Sequence, residues 1–305
     1  MSSLLFPGQG SQVVGMGSEF YNNFNTVKEI FNQADEKLNY SISKIILEGP
    51  ADHLQLTKNT QPAILTVSYS IFKVLKEEFN FDIKSIKFLA GHSLGEYSAL
   101  VSSEALNFED ALFLLHERGK AMQEAVPVGM GSMLAVLGMK TSEIIDLLKF
   151  RSDKNGICEI ANDNADGQVI VSGNKESIES FQMLLKEKQK KSILLKVSAP
   201  FHCSLMKPAA DKMEKKIIDT EFTNPLFKIF NNVTAKPEIN SNEIKKLLIK
   251  QIFSTVKWRE SIIKMSELGT KNFIEIGPGK ALSGMVKRTV KDVNSFSINS
   301  ITDKK

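Results

Sequence analysis

The chain has 305 residues, 42% of them apolar and 24% charged, with a formal net charge of +4. That is ordinary globular composition, long enough for one large domain or a large one with a smaller insert. No run of about 18 apolar residues is present to span a bilayer, and no Arg/Lys block interleaved with aromatics points to nucleic acid.

The chain opens Met-Ser-Ser and enters an apolar strand at residues 4–6 that ends at Pro7. Without a basic or Arg-rich leader before it, the expected location is the cytoplasm. Helical periodicity follows over residues 26–38 and 61–79, the second with Pro62 in its first turn, where a missing N–H does no harm. An apolar run at 86–90 drives into Gly91-His92-Ser93-Leu94-Gly95 and then into helix-compatible residues. Strand, sharp turn and helix in that order hold a serine in strained geometry with its hydroxyl raised above a sheet, and flanking glycines let strand and helix approach. Ser93 is therefore a candidate nucleophile.

Helices are expected over 94–103 and 108–125, after which Pro127, Gly129 and Gly131 mark a boundary. Between 132 and 197 the order becomes strand (133–137), helix (141–150), strand (157–161), strand (168–172), helix (175–187), strand (192–197). This is the β-α-β-β-α-β order of a ferredoxin-like unit, with the turn formers of 162–167 between its central strands. Beyond 197 a helical run starts at Met206, and strands are expected at 227–231 and 273–276. The fold class is thus α/β: a large, α/β-hydrolase-like domain with a parallel sheet over 1–127 and 198–305, and a small ferredoxin-like subdomain over 128–197. The site is expected in the cleft between them.

Two glycine motifs fail as phosphate binders. Gly8-Gln9-Gly10-Ser11-Gln12-Val13 has valine where a dinucleotide fingerprint needs glycine, and Gly277-Pro278-Gly279-Lys280-Ala281 lacks both the spacing and the hydroxyl of a phosphate loop. Both read as turns at strand ends. Cys158 and Cys203 have no partner spacing, and His53, His92, His116 and His202 do not fall at metal-ligand intervals, so neither disulfide nor metal is expected.

A serine nucleophile needs a base, usually neutral histidine. His202, in a loop after a strand, is the leading candidate, with loop packing as the alternative. His92 adjoins Ser93 and should point away from it as cleft wall. Cys203 as nucleophile lacks a base or a positive field beside it.

Phe6-Pro7-Gly8-Gln9-Gly10-Ser11-Gln12, Gly91-His92-Ser93-Leu94-Gly95-Glu96-Tyr97, Arg118-Gly119, Pro200-Phe201-His202, Asn231-Asn232-Val233 and Ile276-Gly277-Pro278-Gly279-Lys280 together resemble the malonyl-CoA:acyl-carrier-protein transacylases of bacterial fatty acid synthesis, in order from about residue 4 to 297. The resemblance implies a ping-pong transfer of malonyl from malonyl-CoA to acyl carrier protein through a malonyl ester of Ser93, with His202 as base and no cofactor. It implies an oxyanion hole from the N–H groups of Gln9 and Leu94, a carbonyl at Gln251 that orients His202, and Arg118 gripping the malonyl carboxylate. Substrate-binding roles for His92, Phe201 and Asn162 follow in the same way, Phe201 by crowding an α-methyl group. The Ser198-Ala199-Pro200 segment departs from the His-Ala pair of related malonyl-selecting enzymes.

The residues taken alone leave other readings open. Arg118 reads as a surface helix residue paired with a nearby Glu, and Asn162 and Asn164 as turn formers. A serine hydrolase could draw its carboxylate from Asp163 or Asp166, in the chain order Ser, Asp, His, and a catalytically silent scaffold is a third possibility. Lys207, Lys287 and Arg288 are candidate contacts for an acidic carrier. A monomer is expected, acting on no membrane or nucleic acid.

Overall fold

The strand expected at 4–6 forms as β1 (Ser2–Phe6) and sits inside a six-stranded sheet. In this computed structural model, which describes residues 1–79, 81–151, 155–197 and 199–304, that sheet also contains β2 (Ile86–Gly91), β7 (Lys228–Phe230), β8 (Pro237–Glu238), β9 (Asn272–Ile276) and β10 (Asn294–Ile298). Their order is β10-β9-β1-β2-β7-β8, parallel throughout except for the β7–β8 pair. The register sets Phe6 beside Gly91, so the loops after β1 and β2 leave the sheet at one level. Strand ends gathered in this way are where open α/β sheets place their sites.

Apolar clusters cover both faces of the sheet. One contains Phe6, Leu89, Leu100 and Leu115, the other Leu5, Phe88, Phe230, Trp258 and Phe273. The helix Gly95–Ser102, buried on every side, runs from the end of β2 into the first of these. Gly91 and Gly95 are required here: a Cβ on Gly91 would fall 1.8 Å from the Gly95 carbonyl carbon, and one on Gly95 would fall 2.2 Å from the Phe6 oxygen.

The second sheet joins β3 (Gly131–Leu137), β4 (Cys158–Ala165), β5 (Gln168–Asn174) and β6 (Lys191–Leu194). Its order is β4-β5-β3-β6, antiparallel throughout. With the helices Thr141–Leu148 and Lys175–Glu187 between strands, the chain order is the β-α-β-β-α-β expected, over a core of its own that includes Leu134, Val136, Val171 and Phe181.

Three local expectations are corrected. The loop expected at 162–167 is strand through Ala165, leaving only Asp166 and Gly167 for the turn; tertiary partners hold the polar residues of β4 and override their turn preference. β6 stops at Leu194, and Leu195 and Val197 leave the sheet to line a cavity. Pro62 lies in the second turn, because its helix begins at Thr57 (Thr57–Glu77). Short helices at Ser18–Asn23, Ile42–Leu47 and Ala51–Gln55 and the edge strands β8 and β10 had no clear sequence signal. Ser198, at the expected domain boundary, lies outside the described residues. No helix among the described residues is long and apolar enough to cross a membrane.

Candidate active site

Between the two sheets lies a cavity of about 360 Å³. The six-stranded sheet contributes Gly8, Gln9, His92 and Ser93 from its strand ends, and the four-stranded sheet contributes Met133, Ala135, Asn162, Asn164 and Ile170. Arg118, Phe201 and His202 line it as well.

Ser93 occupies the tight turn between β2 and the following helix at φ 54°, a left-handed conformation that a non-glycine residue adopts at a cost. Its backbone N–H is held by the Asn232 side chain at 2.8 Å, and that side chain also donates to the Gly91 carbonyl at 2.8 Å. The Ser93 hydroxyl lies 2.7 Å from His202 Nε2 and accepts from Arg118 Nη2 at 3.1 Å. His202, itself at φ 57°, places Nδ1 3.0 Å from the Gln251 backbone carbonyl. A carbonyl can only accept, so Nδ1 carries the proton and Nε2 presents a lone pair to Ser93. Burial first, and the nearby Arg118 charge second, push the His202 pKa down to about 3. The imidazole at rest is a neutral acceptor.

Arg118 is 1% exposed, which removes its reading as a surface residue. Nη1 donates to Gln61 Oε1 at 2.7 Å, and Nη2 donates to Gln251 Oε1 at 2.9 Å as well as to Ser93. Among the described residues no carboxylate touches the guanidinium, so a fixed, desolvated cation faces the serine. Gly119 allows its helix this close: a Cβ there would fall 2.6 Å from the Thr57 carbonyl oxygen.

Gln9 lies on the loop after β1, next to Gly8, whose own Cβ would fall 2.5 Å from the His92 carbonyl oxygen. Gln12 braces the loop by accepting from the Gly10 N–H at 2.7 Å. Leu94 begins the helix after Ser93. Among the described residues no backbone hydrogen bond uses the N–H of Gln9 or of Leu94.

His92 points away from Ser93: its Nε2 lies 2.8 Å from Asn164 Oδ1 and its ring packs edge-on against Trp258. Phe201 and Asn162 line the cavity. The hydrolase carboxylates are elsewhere. Asp163 is gripped by Arg259 through Nε at 2.9 Å and Nη2 at 2.9 Å, Asp166 lies 3.6 Å from the same guanidinium, and the acceptor of His202 Nδ1 is the Gln251 carbonyl. The Cys203 thiol is buried, bonded to the Pro200 carbonyl, and raised to about 11 by burial, so it supplies no thiolate. His53 and His116 lie outside the cavity. Of the three basic residues considered for docking, Lys207 is paired with Asp211 at 2.7 Å and Arg288 donates to Gln168 at 2.5 Å. Among the described residues no group of three or more His, Cys, Asp or Glu could hold a metal ion.

Gln61, Glu96 and Asn232 are site residues that the sequence reading did not single out. Glu96 and Asn232 stood inside recognised motifs. Gln61 gave no signal, because nothing in sequence shows which helical glutamine meets a buried arginine.

The sequence profile of the acyl transferase domain matches residues 4–303. The chain belongs to this acyl transferase family. It is 40% identical over 300 residues to the malonyl CoA-acyl carrier protein transacylase of Haemophilus influenzae, covering 98% of this chain and 95% of the relative. The crystal structure of the acyl-carrier-protein S-malonyltransferase from Bartonella henselae superposes with a TM-score of 0.96 at 38% identity, covering 99% of this chain and 96% of the other. A malonyl-transacylase in complex with its type II polyketide acyl carrier protein superposes with a TM-score of 0.95 at 37% identity, covering 99% and 97%. The family resemblance read from the motifs is thereby shown.

Proposed function

We propose that this acyltransferase carries malonyl from malonyl-CoA to the phosphopantetheine thiol of acyl carrier protein, supplying fatty acid synthesis. The carrying observation is the Ser93 hydroxyl held between a neutral histidine nitrogen and a buried guanidinium, in a chain whose full-length relatives bear that activity in their names.

In the first half-reaction Ser93 Oγ attacks the thioester carbonyl carbon while its proton passes to His202 Nε2. The tetrahedral oxyanion is met by the N–H groups of Gln9 and Leu94, each such donor worth about 2.7–4 kcal/mol in the transition state. The C–S bond then breaks, His202 returns the proton to the departing CoA sulfur, and malonyl remains as an ester on Ser93. In the second half the carrier thiol gives its proton to His202 and attacks the ester, and the proton returns to Ser93 as the thioester leaves. The Gln251 carbonyl fixes the tautomer throughout.

Arg118 selects the acyl group. A guanidinium binds a carboxylate through two parallel hydrogen bonds, and the malonyl carboxylate supplies the anion that Arg118 lacks in the free protein. Pairing also offsets the positive charge that depresses His202, so the substrate carboxylate makes the base stronger as it binds. Phe201 narrows the space beside the α-carbon and disfavours a methyl branch, with Asn162 and His92 shaping the rest of the cavity.

On this reading residues 1–127 and 198–305 form an α/β-hydrolase-like catalytic unit and 128–197 a ferredoxin-like unit that closes over the acyl group. The protein acts as a cytoplasmic monomer without a cofactor.

The test is intact mass after brief incubation with malonyl-CoA, beside Ser93→Ala, with holo acyl carrier protein added afterwards. A malonyl increment on the unaltered protein alone, passed on to the carrier, is the expected outcome. Decay of the adduct to free malonate with the carrier left bare would favour the hydrolase reading.

A further inference from the structure

Glu96, buried in the first turn of the helix behind Ser93, takes no part in the transfer described above. Its Oε1 accepts from Asn231 Nδ2 at 2.7 Å, and its Oε2 accepts from Gln251 Nε2 at 2.8 Å and from the Asn232 N–H at 3.2 Å. All three partners are donors, an arrangement that suits a carboxylate and gives a carboxylic acid proton nowhere to go. Burial alone drives its pKa upward, to about 7, against the pull of these donors and of Arg118.

Arg118 is the complementary case, a buried cation that touches no carboxylate among the described residues. Gln251 lies between the two. Its side-chain oxygen accepts from Arg118 Nη2, its side-chain nitrogen donates to Glu96 and to the Ser93 carbonyl, and its main-chain carbonyl takes the His202 Nδ1 proton. One residue thus touches the nucleophile, the base, the guanidinium and the buried carboxylate.

We propose that Glu96 is the positioning residue of this site, acting through Gln251: it supplies the counter-charge to Arg118 one amide away and pins the residue whose carbonyl orients His202. The separation has a chemical reason. A carboxylate in direct contact would fill the fork that the malonyl carboxylate needs, whereas no anion nearby would leave a desolvated guanidinium uncompensated. An amide polarised between opposite charges strengthens its hydrogen bonds at both ends.

The inference deepens the malonyl-transfer reading and rests on it. Its test compares Glu96→Gln, Gln251→Met and the double variant in steady-state transfer from malonyl-CoA to holo carrier protein. Asn231 Oδ1 already accepts from the Val233 and Thr234 N–H groups, so its amide cannot turn to suit a glutamine at 96, and Glu96→Gln sets donor against donor. Each single variant should lower kcat by about tenfold or more. KM for malonyl-CoA should move less than about threefold, because Gln61 still anchors Arg118. The double variant should be no slower than the slower single, since both cut one relay. Losses that multiply, a KM that rises as kcat falls, or unaltered kcat in Glu96→Gln would overturn the relay. Should Glu96→Gln not fold, Gln251→Met decides alone: unaltered kcat overturns the proposal, and a tenfold fall at unchanged KM supports it. If the unaltered protein transfers no malonyl, both the function and the relay fall, whereas transfer that survives in every variant removes the relay only.

Discussion

On the polar side of the cavity Ser93, His202 and Arg118, with Gln251 buried behind them, are each fixed by at least two hydrogen bonds. The facing wall, from the four-stranded sheet and the segment after it, presents Met133, Ala135, Ile170, Leu195 and Val197. Contacts that tie it across include His92 with Asn164, Arg259 with Asp163, Arg288 with Gln168, and the backbone bonds of Val256 to Ala161 and Asp163. The first wall is over-determined because charge must develop at one point, and electrostatic stabilisation requires donors already in place. The second must accept two different thioester arms in succession, and its largely apolar packing, with Asn162, Asn164 and Gln168 as the polar part of that lining, tolerates both. Chemistry should therefore be sensitive to single atoms on one side, and binding should respond gradually to changes on the other.

The largest effect belongs to the polar wall. Ser93→Ala should remove the malonyl mass increment entirely, and His202→Ala should slow loading by about 10²–10⁴-fold; a malonyl adduct that persists on Ser93→Ala would place the nucleophile elsewhere. Arg118→Ala comes next, with malonyl transfer down about a hundredfold or more, the loss expected from about 2–5 kcal/mol for breaking a buried charge pair, while some acetyl transfer survives. Equal loss for both substrates would exclude the carboxylate clamp.

Asp163→Asn tests the facing wall. It removes the charge that Arg259 grips, yet only a few-fold rise in KM, about 1 kcal/mol or less, is expected, because the pair is partly exposed. A collapse of kcat in that variant would show that the two walls are not independent. The smallest effect concerns pH. With its pKa depressed from 6.5 to about 3, His202 stays neutral through mild acid, so in Glu96→Gln, which lacks the carboxyl that burial raises to about 7, Ser93 loading should change less than about twofold between about pH 7 and pH 5. Base function is lost only as pH falls toward the lowered value; a tenfold drop per pH unit beginning near 6.5 would mean that the imidazole titrates as if exposed.

Much of the polar wall was legible beforehand. The elbow at Ser93 follows from local rules, since an apolar run meeting glycines on both sides of a serine leaves the chain few geometries, and the alternating strands and helices gave the α/β class. Collinear motifs carried Arg118 and Gln9, and the family resemblance implied the carbonyl at Gln251. The order of elements over 131–194 was also readable, though the polar stretch 162–165 was assigned to loop because a turn-forming sequence and a strand held by distant partners look alike in one dimension.

Local pattern thus determined the strand, sharp turn and helix that hold Ser93 and the order of strands and helices over 131–194, because these depend on steric rules acting over a few residues. Tertiary structure decided that Arg118 is buried rather than solvated, that the acceptor for His202 is a backbone carbonyl rather than the carboxylate of Asp163 or Asp166, and that Glu96, Asn232 and Gln61 belong to the site. Those outcomes turn on contacts between residues 19 to 158 positions apart, where hydrogen-bond geometry and desolvation depend on which groups the packed chain brings together.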